Sequence, residues 1–171
     1  ETIVLDKDSA VSEVTGCTFS DFSKSLKTLF VVQTPVIFSD MEFDVGDTLF
    51  IELQGQTLEM RNCIMKHTGS SDYAIQTTLD EPSHLLIEEC KFIHSSTSQI
   101  TFIHIQNPDS SISVFNCTIK PNSMFLDSVS ENVTIDTCIF DNPSGTQTFH
   151  IHPGIQNKGT FVFINNDVSD A

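Results

Sequence analysis

Tryptophan is missing from this 171-residue chain, tyrosine occurs once, at Tyr73, and arginine once, at Arg61. With so few ring-bearing polar side chains, no exposed aromatic platform for stacking sugars is evident. Cations are scarce: Lys plus Arg number 8 against 23 Asp plus Glu, a formal charge of −15. The eight (Lys7, Lys24, Lys27, Arg61, Lys66, Lys91, Lys120, Lys158) are scattered, so no basic track follows a phosphate backbone. Nucleic acid and anionic membrane surfaces are therefore not expected partners. No apolar run reaches the length of a membrane-spanning helix, and no signal peptide is visible. No Cys-x-x-Cys pair offers zinc ligands, and no cofactor is expected. The acidity reads first as solubility and protection against edge association, with a cation or a basic partner as the alternative.

What is present is a repeat. Seven times the chain writes apolar, any, apolar, two polar or turn residues, a small or soft residue, any, apolar. The copies are Ser12–Phe19, Val36–Phe43, Leu58–Met65, Leu85–Phe92, Ile112–Ile119, Val133–Phe140 and Phe161–Val168. The soft slot, taken as zero, holds Cys17, Met41, Cys63, Cys90, Cys117, Cys138 and Asn166, at steps of 24, 22, 27, 27, 21 and 28 residues. Slots −5, −3, 0 and +2 are apolar or Cys everywhere except Ser12 and Asn166. A random frame would fill about 11 of those 28 positions at the chain's 39% hydrophobic content.

Slots −5 and −3 alternate as one strand face does, and 0 and +2 as a second. The jump of three between them breaks parity, so two residues turn a corner. Slot −1 holds Gly16, Asp40, Asn62, Glu89, Asn116, Thr137 and Asn165. Gly, Asn and Asp tolerate the left-handed backbone a sharp corner demands, which marks Gly16, Asp40, Asn62, Asn116 and Asn165 as structural bends. A third strand lies between phrases: Thr2–Leu5, Phe30–Gln33, Leu49–Leu53, Tyr73–Thr77, Thr101–Ile105, Met124–Ser128 and Thr148–His152. The expected fold is all-β: a right-handed parallel β-helix of about seven coils with three strands each, its hand taken from the general crossover preference. The arrangement resembles the pectin-lyase-like superfamily, whose two-residue bend with a left-handed Asn matches Asn62, Asn116 and Asn165. The likeness covers Thr2 to Val168 and implies a fold rather than a reaction. The repeat is also somewhat similar to polymorphic, outer-membrane-type surface proteins. Their Phe-x-x-Asn signature appears once, at Phe163-Ile164-Asn165-Asn166, while their Gly-Gly-Ala motif is absent. The whole chain, 1–171, reads as a single β-helix domain. Because it opens at Glu1 without Met and shows no amphipathic cap, it is expected to be a segment of a longer solenoid.

Cys17, Met41, Cys63, Cys90, Cys117 and Cys138 should form a core ladder. Disulfides along it are distance-possible at about 4.8 Å between Cα atoms, but parallel neighbours aim Cβ the same way, so free thiols as core filler are expected. Enzymes of the similar fold project catalytic groups outward from the third-strand wall. Taking Leu49, Ile51 and Leu53 as inward puts Phe50, Glu52, Ala74, Gln76, His104, Asp127, His150 and His152 outside. His104, Asp127 and His150 on successive coils are the catalytic or metal candidates. The arginine base and the carboxylate cluster of calcium-dependent lyases are missing from that wall, as is a second Asp for glycoside hydrolysis. His67, His84 and His94 read as solvated. Two sequons, at Asn116 and Asn132, are possible glycosylation sites. Recognition is expected in the excursions Lys66–Asp72, His94–Gln99, Asn107–Ser111, Asp141–Gln147 and Pro153–Gly159.

The expected function is thus a non-catalytic structural, adhesion or binding module of a larger surface or extracellular protein. Its partner would be a protein or glycan at the loops, or adjoining coils of the same chain. Alternatives are a carbohydrate-active lyase or hydrolase, and an intracellular filament-associated scaffold of the cytoplasm, which free thiols would permit. The strand frame itself is testable. Cys90→Asp or Phe92→Asp should lower stability by about 3 kcal/mol or more, because an unpaired charge is buried. Lys91→Asp, between them and pointing out, should stay within about 0.5 kcal/mol. Equal sensitivity of all three in a urea titration would sink the frame.

Overall fold

The structure is a computed structural model and describes residues 2–6, 12–20, 28–46, 49–69, 73–94, 100–120, 124–130, 132–141, 149–151 and 160–169. Among the described residues twenty-one strands, numbered in chain order, build three parallel sheets of seven. The first wall is β1 (Ile3–Leu5), β4 (Thr28–Val32), β7 (Leu49–Leu53), β10 (Tyr73–Thr77), β13 (Thr101–Ile105), β16 (Met124–Ser128) and β19 (Phe149–Ile151). The second is β2 (Ser12–Thr15), β5 (Val36–Ser39), β8 (Thr57–Arg61), β11 (His84–Glu88), β14 (Ser111–Phe115), β17 (Asn132–Asp136) and β20 (Phe161–Ile164). The third is β3 (Thr18–Phe19), β6 (Glu42–Val45), β9 (Ile64–His67), β12 (Lys91–His94), β15 (Thr118–Lys120), β18 (Ile139–Asp141) and β21 (Asp167–Ser169). Each rung runs through the three walls in that order, and each strand pairs with its equivalents one repeat away. This is a parallel β-solenoid.

The inward slots account for the core. In the second through sixth rungs all 20 side chains at −5, −3, 0 and +2 (five rungs of four) are buried. The first wall departs from simple alternation. Its strands bury their second, third and fifth residues, so Leu29, Phe50, Ala74, Phe102 and Phe125 face inward beside Phe30, Ile51, Ile75, Ile103 and Leu126. Phe50 and Ala74 are thus core residues, not the outward positions that strict period two gives them. Two adjacent inward residues place a corner inside the strand's entry. β4 begins at Thr28, two residues ahead of the Phe30 start expected from the sequence. The rings interlock across walls, with Phe43 and Phe50 centroids 4.2 Å apart, Phe92 and Phe125 5.1 Å, and Phe140 and Phe149 5.1 Å.

The corner between second and third walls is the most regular feature. All seven slot −1 residues have positive φ: Gly16 at 67°, Asp40 55°, Asn62 51°, Glu89 55°, Asn116 52°, Thr137 56° and Asn165 54°. Glu89 and Thr137 adopt it too, although a left-handed conformation costs an L residue with a Cβ about 1–2 kcal/mol. Asn62 Nδ2 donates 2.5 Å to Asp40 Oδ1 on the preceding rung, and Asn165 Nδ2 donates 2.9 Å to Asp136 Oδ1.

At each bend the backbone donors leave the strand ladders and must be satisfied elsewhere. The slot −1 N–H donates to the slot −2 carbonyl of the next rung, as Asn62 does to Glu88 at 3.1 Å and Asn116 to Asp136 at 3.1 Å. The slot +1 N–H donates to the slot zero carbonyl of the preceding rung, as Lys91 does to Cys63 at 2.8 Å. The slot zero N–H finds a side chain. Cys17 N–H donates to Met41 Sδ, Cys63 to Cys90 Sγ and Cys90 to Cys117 Sγ, each at 3.4 Å, and Cys138 donates to Asn166 Oδ1 at 2.8 Å. The sulfurs also lie close to carbonyls: Cys63 Sγ is 3.2 Å from Arg61 O and 3.3 Å from Phe38 O, within reach of its one proton. Asn166 reproduces both halves, accepting from Cys138 and donating through Nδ2 to Ile135 O at 3.0 Å. The ladder is therefore more than filler, and Asn166 belongs to it.

All five cysteines are free. Cys63, Cys90, Cys117 and Cys138 are buried, whereas Cys17 on the first rung is exposed, against the expectation of five hidden thiols. Along the ladder the thiols alternate: the neighbouring sulfurs push Cys90 and Cys138 up, with burial adding to the rise, and hold Cys63 and Cys117 down against burial. Because the other four thiols are buried out of a reagent's reach, a thiol titration of the native protein should read one rapidly reacting group, lost in Cys17→Ser. In denaturant without reductant it should read all five. Recovery of a single thiol in denaturant would mean two disulfides and overturn the ladder.

Candidate functional site

The outward column of the first wall forms in the expected register. Glu52 pairs with Gln76, Gln76 with His104, His104 with Asp127, and Asp127 with His150. His104 points out, although its strand is apolar on both parities, because only its first and fourth residues escape burial. The three candidates meet: His104 Nδ1 lies 3.1 Å from Asp127 Oδ2, and His150 Nδ1 3.2 Å from Asp127 Oδ1. A carboxylate only accepts, so each imidazole presents Nδ1–H to it and keeps its lone pair on Nε2. Tyr73 stacks on His104 with centroids 4.3 Å apart and planes 14° apart. Side-chain exposure falls to 16% at His104 and 17% at Asp127, against 44% at His150. His152 lies outside the described residues.

Chemically this is one carboxylate orienting two imidazoles, each able to act as a base at Nε2. The nearest carboxylate in the column, Glu52, is three rungs from Asp127, hence about 14 Å away. That exceeds the roughly 5–9.5 Å that paired carboxylates span in glycoside hydrolysis. Glu52 is itself engaged, accepting from Gln54 Nε2 at 2.6 Å. Among the described residues no group of three or more His, Cys, Asp or Glu is arranged to hold a metal ion.

A second feature lies ahead of the phrases rather than in the excursions that follow them. At the corner from first to second wall, a groove of about 350 Å³ is lined by Gln33, Gln54, Gln56, Thr78, Asp80 and Glu81. Gln33 Nε2 donates to Gln54 Oε1 at 2.8 Å, which orients that amide. Gly55, at φ 66°, turns the chain under the groove, where a side chain would overlap Glu81. Its polar lining carries two carboxylates and no cation, which suits a cationic or hydroxyl-rich ligand. The signal in the sequence was Gln54-Gly55-Gln56 one repeat before Asp80-Glu81. Of the excursions named for recognition, 107–111 is described, whereas 70–72, 95–99, 142–147 and 153–159 lie outside the described residues.

The remaining histidines divide. His84 is exposed, with Nδ1 2.8 Å from Ser111 Oγ. His67 and His94 are not solvated: they are 0% and 6% exposed. Both sit four residues after slot zero, so the parity that buries Met65 and Phe92 carries them inward as well. Their rings lie 5.7 Å apart and contact Phe102 at 6.2 and 6.4 Å. Neither nitrogen of His94 has a hydrogen-bond partner, and each such buried group costs about 1–3 kcal/mol. Both sequon residues, Asn116 and Asn132, are exposed.

No known protein family, curated protein or solved structure matches this chain. Among the described residues no helix is long and apolar enough to cross a membrane.

Burial lowers the pKa of His94, which sets the sign of a pH effect. The unfolded chain takes up that proton near pH 6.5 while the folded chain resists it. Stability should therefore fall as pH drops below about 6.5, levelling only below the folded value. His94→Phe should flatten that slope in urea titrations from pH 7.5 to 5. An unchanged slope would show that His94 titrates freely.

Proposed function

We propose that this chain is a non-catalytic, rigid β-solenoid module: a spacer, scaffold or adhesion segment of a larger surface or extracellular protein. The observation that supports it best is the unbroken register of three seven-stranded sheets around one apolar core. Such a rod resists bending because every rung is hydrogen-bonded to its neighbours in three walls and at the bends. The resemblance to pectin-lyase-like β-helices and to polymorphic surface proteins agrees with a display role. So do the exposed Asn116 and Asn132 sequons. Contact with a protein or glycan would use the polar corners, the Gln33–Glu81 groove first among them, and adjoining coils would stack on the terminal rungs. The terminal rungs leave Ile3, Val4, Phe161, Phe163 and Val168 exposed.

A second reading, a carbohydrate-active lyase or hydrolase, rests on one observation: Asp127 held between two imidazoles. The two separate cleanly. Incubation with acidic and neutral polysaccharides should release no unsaturated or reducing ends. Changing His104, Asp127 and His150 together to Ser should leave the melting temperature within about 2 °C. In a panel of immobilised glycans and peptides, any specific binding should weaken with Asp80→Asn plus Glu81→Gln. Turnover of a polysaccharide that disappears in Asp127→Asn would sink the structural reading and install the enzyme.

A further inference from the structure

The groove at the corner from first to second wall is held in shape by the rungs around it, and its chemistry narrows what it can bind; the inference rests on the binding-module reading above. One side is the stretch from Thr78 to Glu81, fixed to both neighbouring rungs. Thr78 N–H donates to Leu53 O on the preceding rung at 3.0 Å, and Asn107 Nδ2 on the following rung donates to Leu79 O at 2.8 Å. The other side is formed by the half-buried amides of Gln33 and Gln54 on the two rungs before it. Glu81 packs onto the corner at Gly55, where any Cβ would overlap the Glu81 side chain.

The amide network decides which atoms remain for a ligand. A carboxylate only accepts, so Gln54 must present Nε2 to Glu52 Oε1, at 2.6 Å, and its Oε1 then accepts from Gln33 Nε2 at 2.8 Å. Gln33 keeps its amide oxygen as a free acceptor. No described residue donates to the Asp80 or Glu81 carboxylate. The groove thus offers both carboxylates and an oriented amide oxygen, with no cation in its lining to answer them. That surplus of acceptors calls for a positively charged ligand rich in N–H donors. A calcium ion would need more oxygen ligands than two carboxylates supply, and no metal-holding cluster occurs among the described residues. A sugar ring would want an aromatic or apolar face, and the lining has none. At about 350 Å³ the groove is at the small end of ligand pockets, room for one long side chain.

We propose that the groove binds an arginine side chain carried by a basic, extended segment of a partner protein. The guanidinium is planar, holds its N–H donors in a fixed fork and is more weakly hydrated than an ammonium. It can bind one carboxylate through two parallel bonds and keep donors for the other carboxylate and the Gln33 oxygen. Leu79, 66% exposed between Thr78 and Asp80, gives the arginine methylenes an apolar surface at the rim. A second copy of this chain is the wrong partner. At −15 two copies repel, and Arg61, Lys66 and Lys120 are already paired with carboxylates elsewhere. The same charge steers a basic segment inward, so binding should weaken as salt rises.

The test titrates the full, isotope-labelled chain by NMR with a capped peptide carrying one arginine among Gly and Ser, with spermine titrated in parallel. Amide shifts should concentrate at Gln54, Gln56, Asp80 and Glu81. Citrulline in place of the arginine, similar in shape but neutral, should weaken binding about 10-fold or more, and lysine about 3-fold or more. Asp80→Asn plus Glu81→Gln should weaken the arginine peptide about 10-fold or more. Glu13→Gln plus Glu89→Gln, which removes the same charge elsewhere, should leave it within about 2-fold. Gly55→Ala keeps every charge yet displaces Glu81, so it should weaken binding too. Circular dichroism verifies that each variant is folded, and Gln33→Leu replaces Gly55→Ala if that chain is not. Equal weakening by the two charge-removing pairs would overturn the proposal by reducing the attraction to general acidity. So would an unaffected citrulline or lysine peptide, tighter binding of spermine at the groove, or no shift there at all. Each of those results leaves the non-catalytic module standing, since that reading falls only with turnover of a polysaccharide.

Discussion

An amide N–H at slot zero, turned out of the sheet ladder by the left-handed residue before it, is the group on which each rung depends. A parallel solenoid must turn a corner between its second and third walls, and a two-residue bend leaves that donor facing the interior. Buried and unanswered it would cost about 1–3 kcal/mol per rung. The next rung answers with a side chain that is small enough to sit inside and soft enough to accept. Cys, Met and Asn differ in hydropathy yet share that ability, which is why all three occupy one slot. The thiol is a poor acceptor beside an amide oxygen, but it adds apolar volume to the core. Asn appears only on the seventh rung, where the inward slots are less enclosed.

This constraint also governs where chemistry can sit. Inward positions are committed to filling the core and completing the bends, so reactive groups either line the outside of a wall or survive inside it at a penalty. Asp127 with its two imidazoles is the outside case: register alone brings the three together, and each carboxylate oxygen has its own ring. His94 is the inside case, where parity buries a polar ring that no neighbour satisfies. On the surface, Lys66 pairs with Glu42, Lys120 with Asp141 and Arg61 with Glu59, always within one rung's reach. Such exposed pairs contribute little individually. They nonetheless place three of the few cations among carboxylates of the same or a neighbouring strand.

The repeat was legible because its physics is local. Two-residue alternation on either side of a bend leaves a pattern in eight consecutive residues, and the slot −1 occupants announce a left-handed corner. Glu89 and Thr137 show the limit, since neither residue type advertises positive φ and only their phase in the repeat assigns it. The first wall was harder. Phe50 and Ala74 were placed outside by strict alternation, and the consecutive inward pair at each strand's entry is a property of the corner rather than of any residue. His67 and His94 fall in the excursions if the phrase ends at slot +2, whereas its parity runs two residues further. Asn166 looked like a failure of the apolar pattern because hydropathy was counted and hydrogen-bond capacity was not. The Gln33–Glu81 groove joins corners from adjacent repeats, and such cross-repeat proximity leaves no mark in a single phrase.

The bends also give the rod a direction. At each corner two donors, those of slots −1 and zero, are answered by the following rung, and one donor, that of slot +1, by the preceding rung. Stripping a rung from the C-terminal side therefore strands two amides at the newly bared corner, while stripping one from the N-terminal side strands a single amide and leaves sulfurs or carbonyls without donors. Unmet acceptors are tolerated better than unmet donors. Any surface that covers the C-terminal rung must bring acceptors to that corner, and one that covers the N-terminal rung must chiefly bring donors. The two ends of the stack are chemically unlike, and a rod built this way has a head and a tail.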